Sequence, residues 1–346
     1  MNAHVARSMN AAVTVGHGGP EMIELREVPV PALGPGDALV RVGAAALNNT
    51  DIWTREGRYG SAEDPDAVAG WQGVPLGFPR IQGMDIAGEV VEVGDDVSNA
   101  WVGRRVIVDP TVTYADGFPA VLVGSEVDGG FAGFHRCSEA QLSDVTDSPL
   151  SDAQLSCLPI AYGTALGMIN RAGCSPGERV LVTGASGGVG LAAVQLLLAR
   201  SCRVVARTSE PHRATFEALG VEVSVRGVDD VADLDVVDAV VDVVGGDTFA
   251  LLVDRLEVGG RLVVAGAIAG PQVSIDLRQL YLKQRTLIGS TMHTRDDFAQ
   301  LARIATEGSL DPVVAQTYPL ADLAAAQERF LAGDFVGKLV IEPNRA

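Results

Sequence analysis

The chain has 346 residues, 47% of them hydrophobic, a length that favours two domains with sizeable cores. Its formal net charge of −18 excludes a nucleic-acid surface, which needs clustered lysine and arginine, and fits a soluble acidic exterior. No apolar run reaches the roughly 18 residues of a membrane span, and residues 1–10 (MNAHVARSMN) lack the apolar core of a signal peptide, so no membrane partner and a cytoplasmic location are expected. The cysteines are Cys137, Cys157, Cys174 and Cys202; none forms a C-x-x-C pair, so free thiols are expected instead of a zinc cluster or a disulfide framework.

In chain order, strands are expected at 12–15, 22–25 and 38–42, broken by Pro29, Pro31, Pro35 and Gly36, then at 86–93 and 105–108. A loop rich in Gly, Pro and Asp occupies 55–82, long enough to suggest a site. This part reads as an irregular antiparallel β domain. Near Asp152 helix and strand patterns begin to alternate. Strands are expected at 179–183, 203–207, 221–225, 237–244, 261–265 and 286–290, and helices at 188–200, 211–219, 247–257 and 276–284. Six strands with interleaved helices imply α/β architecture with a doubly wound parallel sheet. Helices follow at 296–307 and 320–332, and a strand at 338–341.

Residues 179–200 (RVLVTGASGGVGLAAVQLLLAR) carry strand-forming residues into a glycine turn and then a helix. Glycines let the backbone approach a pyrophosphate, and a helix N-terminus supplies amides and a positive dipole end. In G-x-G-x-x-G register the positions are Ala185, Gly187 and Gly190, so alanine replaces the first glycine. Ala185, Ser186, Gly187, Gly188, Val189 and Gly190 are therefore candidate cofactor residues; the alternative is a plain glycine turn before a helix. Gly245, Gly246 and Gly266 fall at the carboxyl ends of later strands, where cofactors bind in such sheets.

The end of the second strand selects the nicotinamide cofactor. An acidic residue there takes the ribose hydroxyl of NAD, whereas basic and hydroxyl residues accept the extra phosphate of NADP. Here the strand ends in Arg207, Thr208 and Ser209, with Arg213 a helical turn beyond and Glu210 the first carboxylate. Arg207 and Arg213 suit a phosphate, so NADPH is expected in preference to NADH. Solvated arginines, or Glu210 folded onto the ribose, are the alternatives.

This order of parts resembles the medium-chain dehydrogenase/reductase superfamily. The resemblance covers nearly the whole chain and is carried by 83–94 (GMDIAGEVVEVG), 161–165 (AYGTA), the glycine turn and 337–340 (GKLV). It implies a GroES-like catalytic domain over 1–155 and 293–346 and a Rossmann domain over 156–292. Zinc members of that superfamily carry a Cys, a Gly-His-Glu motif and a later Cys or Asp. The matching positions are Asn48, Gly83-Met84-Asp85 and Ile160, which cannot make a tetrahedral zinc site. The chain thus looks like the zinc-free branch, similar to quinone oxidoreductases and enoyl reductases, and no metal is expected. An improvised site from Asp85, Glu89, His135 and Cys137 is the alternative.

The stretch 48–59 (NNTDIWTREGRY) is similar to the Asn-x-x-Asp…Gly-x-Tyr stretch of quinone oxidoreductases, matched by Asn48, Asp51, Gly57 and Tyr59. Hydride addition to a conjugated carbonyl places charge on oxygen, which needs a donor. Tyr59 is either that donor or a wall aromatic. Asn48 either donates to the substrate or nicotinamide ribose or buttresses its loop. Thr50 matches a hydroxyl relay; Asp51 reads as ordering the loop near the substrate; Trp53 is a floor for a flat substrate or a core residue. Thr164 and Lys338 take positions that the family places near the cofactor. Trp71, in the long segment 60–80, is expected at the substrate mouth. The resemblance implies an NADPH-dependent reductase of quinones or activated alkenes, acting on small molecules, and a homodimer joined through the edge strand at 286–290. An alcohol or aldehyde oxidoreductase and a non-catalytic NADPH-binding protein are the competing readings.

Overall fold

The structure, a computed structural model, describes residues 7–345 except 62, 63, 65 and 116. Residues 1–6 and those three positions of the 60–80 segment lie outside it. The chain forms two units: one holds the chain up to Ile160 and again from Phe298, the other Ala161–Asp297.

The first unit is β-rich. β1 (Ser8–Thr14) pairs antiparallel with β2 (Ile23–Pro29), which begins later than the expected 22–25 because residues 20–22 turn as a short 3₁₀ helix. β3 (Asp37–Ala46) is the spine of the unit. Its pattern is apolar on both faces in its second half, so it accepts neighbours on both edges and both faces. A helix that the sequence pattern did not suggest follows, α1 (Asn49–Glu56). It forms because Asn48 is extended at its N-cap and Gly57 ends it with φ +70°. Then come β4 (Arg80–Ile81), which pairs with β1, β5 (Ala87–Val93), β6 (Arg105–Val108), the hairpin β7 (Thr111–Ala115) and β8 (Phe118–Leu122), β9 (Phe134–Ser138) and β10 (Leu142–Asp144). α2 (Asp152–Ser156) packs on β3.

The second unit opens with α3 (Gly163–Arg171). It continues through β11 (Arg179–Val182), α4 (Gly188–Ala199), β12 (Arg203–Thr208), α5 (Arg213–Ala218), β13 (Glu222–Val225), β14 (Val237–Asp242), α6 (Phe249–Asp254), β15 (Leu256–Val264), α7 (Leu277–Tyr281) and β16 (Thr286–Gly289). Its six strands run parallel in the order β13-β12-β11-β14-β15-β16, the doubly wound topology expected. The helix expected over 247–257 stops at Asp254, because Leu256 already pairs with Val237 and a register shift follows before Ala239 meets Arg261. The helix expected over 276–284 is only Leu277–Tyr281.

The chain leaves through α8 (Arg295–Thr306), β17 (Val314–Pro319) and α9 (Leu323–Ala332) and ends on β18 (Lys338–Glu342). β17, absent from the sequence reading, pairs parallel with β18, which joins β3 antiparallel. The main sheet of the first unit thus reads β10-β6-β5-β3-β18-β17, with β9 also on β3. Val40, Val90, Val106, Phe131, Leu339 and Ile341 fill its core. Among the described residues no helix is long and apolar enough to cross a membrane.

Candidate active site

In the first unit, α1 and its flanks gather most of the residues singled out in 48–59. The Asp51 carboxylate accepts from the Asn48 backbone N–H at 2.8 Å and so fixes the first turn of α1. The Asn48 side chain also bonds outside the helix. Its amide donates to Asp85 Oδ2 at 2.8 Å, and its Oδ1 accepts from the Lys338 ammonium. Lys338 Nζ also lies 3.0 Å from Asp85 Oδ2, and Asp85 Oδ1 accepts from the Ile160 N–H at 2.7 Å. Asp85 is fully buried and Lys338 4% exposed. Lys338 reaches this point because Gly337, at φ +94°, lies against the Val313 carbonyl, which would be only 2.2 Å from a Cβ. The ammonium expected at the cofactor is thus hydrogen-bonded to Asn48 and Asp85.

Burial pushes the Asp51 carboxyl up to about 7, against the pull of the Asn48 amide; Asp85 raises it further, and Lys338 draws it down. The Gly83 backbone also lowers it, although no hydrogen bond to its Oδ1 forms among the described residues. Asp51 is thus fully buried while it orders the first turn of α1.

Above this network lie the hydroxyls. Tyr59 Oη donates to Thr50 Oγ1 at 2.9 Å, and the Tyr59 ring meets Trp53 edge to face at 5.5 Å. Burial pushes the phenol above its ordinary value, although the residue as a whole is 38% exposed. The group stays protonated and able to donate at neutral pH. Trp71 belongs to a different contact set: its indole N–H donates to Glu126 at 3.0 Å, which ties the 60–80 segment to the turn after β8.

The four residues of the improvised metal site go separate ways. Asp85 serves Lys338, Glu89 pairs with Arg41 at 3.0 Å, and burial pushes the Cys137 thiol up to about 12. Burial also lowers His135 to about 4. Among the described residues no three His, Cys, Asp or Glu side chains converge on one point.

In the second unit, β11 runs into Thr183 and Gly184, and Gly184 takes φ +57°. The turn needs its left-handed residue there, one position before the alanine; Ala185 is buried and its N–H donates to the Arg207 carbonyl at 3.1 Å. This explains how alanine stands in the first glycine position. The turn closes with Gly187 N–H on the Gly184 carbonyl at 3.0 Å, and α4 starts at Gly188. A Cβ on Gly190 would lie 2.1 Å from the Gly184 carbonyl oxygen, so helix and turn pack backbone to backbone. The amides of the first turn of α4 then face outward, a cradle that fits a pyrophosphate.

Thr183 Oγ1 donates to Asp242 at 2.5 Å, and Asp242 accepts from the amides of Val244 and Gly245, ordering the exit of β14. Gly266 packs against that exit, since its Cβ would meet the Val243 carbonyl at 2.6 Å. A Cβ on Gly245, at φ +66°, would lie 3.1 Å from both Ala267 Cα and the Gly270 carbonyl oxygen. Thr164 is 8% exposed on α3.

At the end of β12, Arg207 donates to Ser224 Oγ at 2.7 Å and to the Asp229 carbonyl at 3.2 Å. The Thr208 hydroxyl is buried with no hydrogen-bond partner among the described residues, and Ser209 precedes a 3₁₀ turn. Arg213 is already paired with Glu210 and Glu217, at 3.2 and 3.6 Å. Glu210 is thus held by Arg213. Arg226, just past β13, is exposed, and its backbone N–H donates to the Thr208 carbonyl at 2.7 Å, which places the residue beside the end of β12.

A glycine turn at the first strand–helix junction of such a parallel sheet, in a chain with a β-rich companion unit, defines a Rossmann-type oxidoreductase. Known proteins agree. The family described as alcohol dehydrogenase GroES-like domain matches residues 34–147, and that described as zinc-binding dehydrogenase matches 188–307. An acryloyl-coenzyme A reductase of Metallosphaera sedula is 30% identical over 348 residues, 96% of this chain and 99% of that protein. The human quinone oxidoreductase is 27% identical over 351 residues, 96% and 97% of the two chains. The solved structure of a proposed alcohol dehydrogenase from Sinorhizobium meliloti superposes with a TM-score of 0.93 at 41% identity, over 98% of each chain. The chain belongs to the medium-chain dehydrogenase/reductase superfamily and is an oxidoreductase, quinone oxidoreductase-like in sequence.

Proposed function

We propose that the protein is an NADPH-dependent, zinc-independent reductase of small quinones or activated alkenes. The observation that carries this reading is the Tyr59–Thr50 hydroxyl pair, held by Trp53 on an ordered helix terminus. Bound NADPH supplies the hydride. Ser186–Gly190 would hold its pyrophosphate, and Arg207, Thr208 and Arg226 would take its extra phosphate. As charge develops on the acceptor oxygen, the Thr50 hydroxyl donates to it, the Tyr59 phenol replaces that proton across their 2.9 Å contact, and solvent at the part-exposed Tyr59 returns a proton to the phenol. Asn48, Asp51 and Asp85 hold α1 in place. Zinc independence is supported by Lys338, whose ammonium is bonded to Asn48, the position matching the first zinc ligand.

The test is NADPH oxidation with benzoquinone, cyclohexenone and aliphatic aldehydes, with and without a chelator. Quinone or enone turnover that survives the chelator is expected. Tyr59→Phe should lower kcat by about 10²-fold; full activity in that variant removes Tyr59 from the mechanism. Alcohol or aldehyde oxidoreduction is the second reading, favoured by the Sinorhizobium likeness, and it predicts activity that the chelator abolishes.

For cofactor choice, Arg226→Glu should weaken NADPH by about tenfold or more while leaving NADH unchanged, read by fluorescence titration. Equal effects on both cofactors reject the assignment. The proposed partner is a second copy of the chain, joined along β16. The edge of the sheet is open there, and Leu277, Tyr281 and Leu282 nearby are each at least 65% exposed. Sedimentation should give twice the 36.0 kDa chain mass; a monomer at micromolar concentration rejects it.

A further inference from the structure

His17 has no sequence pattern around it, yet it joins the end of α1 to the segment 60–80. Its Nδ1 lies 2.9 Å from the Arg55 carbonyl oxygen, and its Nε2 lies 3.2 Å from the Leu76 backbone nitrogen. A carbonyl only accepts and an amide N–H only donates. Both bonds therefore hold at once for one form of the ring, the neutral tautomer with its proton on Nδ1. The Phe78 ring stacks edge to face on His17 at 4.8 Å.

The surroundings make this contact a fixed point. Arg55 is fully buried, donating to the Gly18 carbonyl and, at 3.0 Å, to Gln327 on α9. The Gly18 N–H returns to the Arg55 carbonyl at 3.2 Å. Between the two ends of the segment, Ala69 N–H donates to the Gly57 carbonyl at 3.0 Å and Tyr59 N–H to the Ala69 carbonyl at 3.2 Å. The segment therefore leaves α1 at Gly57, runs beside Tyr59, and is pinned at Leu76 to the same helix end from which it started. A Cβ on Gly57 would lie 2.5 Å from Val68 and 3.3 Å from His17 Nδ1, so the three elements are packed without slack.

We propose that His17 is the positioning residue for substrate specificity: its two hydrogen bonds set the distance of the 66–78 segment from Tyr59 and so the width of the substrate mouth. This rests on the reading of Tyr59 and that segment as the substrate side of a reductase. His17 touches no reacting atom; it acts through Leu76 and Phe78.

The test compares His17→Phe, which keeps a ring for Phe78 but loses both hydrogen bonds, with His17→Gln, whose amide supplies one donor and one acceptor. Amide hydrogen exchange is followed over 57–78, and kcat and KM are measured with benzoquinone and the larger phenanthrenequinone. In His17→Phe the Leu76 region should exchange at least tenfold faster. KM for phenanthrenequinone should change about tenfold with kcat for benzoquinone and NADPH affinity held near wild type. His17→Gln should restore much of both. Unchanged exchange at Leu76 overturns the proposal, as does faster exchange with no change in KM. A matching loss of NADPH affinity also overturns it, since the effect is then global. Should the wild-type protein reduce neither quinone, the functional reading fails, while the exchange comparison still decides whether His17 holds the segment.

Discussion

Replacing Lys338 by methionine is expected to destabilise the β-rich unit by about 3–5 kcal/mol. The substitution keeps the length of the stem and removes only the ammonium. Asp85, fully buried, then keeps a charge with two donors, the Asn48 amide and the Ile160 N–H, and no cation. A buried pair contributes little when whole, but one partner left alone bears the full desolvation cost. The effect reaches Asp51 too, since Lys338 is among the groups that hold that carboxyl down. Its folded value, about 7, stands above the ordinary 3.8, so the folded protein holds the proton longer than the unfolded chain does. The contribution of this carboxyl to stability is therefore full below the unfolded value and is lost as pH rises through the folded one. Without Lys338 the folded value moves higher, and the loss continues to higher pH. Urea unfolding at about pH 5 and about pH 8 should thus show a larger deficit for Lys338→Met at the higher pH. The double variant Asp85→Asn, Lys338→Met should recover most of the stability, because no charge is left alone. A single variant as stable as wild type would mean that Asp85 is not held as an ion by Lys338.

That network marks where the sequence stops being legible. The parallel sheet could be read because each strand of 179–290 is a short apolar run between helix patterns, a local signal. The turn at 184–190 was legible for the same reason, and the structure adds why Ala185 is tolerated there: the left-handed residue is Gly184. Asp85 and Lys338 are 253 residues apart, and no periodicity joins them. α1 escaped notice because NTDIWTRE is short and mostly polar, and its helicity depends on a cap at each end. β17 is only half-buried along its length and shows little alternation. His17 is the extreme case: both its hydrogen-bond partners are backbone groups, which leave no trace in side-chain chemistry. Arg213 shows what charge and spacing leave out. Its charge and spacing suggested a phosphate, but Glu210 and Glu217 lie at helical spacing on either side and already pair with it.

Alanine at Gly190 and alanine at Gly187 should separate folding from nucleotide binding within one turn. At Gly190 the new methyl would lie 2.1 Å from the Gly184 carbonyl oxygen, 2.7 Å from its carbon and 2.8 Å from Ala185 Cα. All three are backbone atoms fixed by β11 and the turn, so α4 must move outward. Overpacking of this kind costs about 1–3 kcal/mol, and it also displaces the amides that open the helix. Gly190→Ala should therefore lower the unfolding midpoint of the Rossmann unit and abolish measurable NADPH binding together. At Gly187 the nearest atom to a new methyl is the Gly184 carbonyl oxygen at 3.4 Å, an ordinary contact. Gly187 has φ −74°, which any residue adopts. Stability should stay within about 1 kcal/mol of wild type. In the proposed binding mode the methyl projects into the path of the pyrophosphate, so NADPH affinity should fall by about tenfold to a hundredfold through lost amide–phosphate bonds. Thermal unfolding and NADPH fluorescence titration on the two variants give the comparison. If Gly187→Ala binds NADPH as wild type does, the pyrophosphate does not cross the turn at 187, and the cofactor assignment of Ser186–Gly190 falls with it.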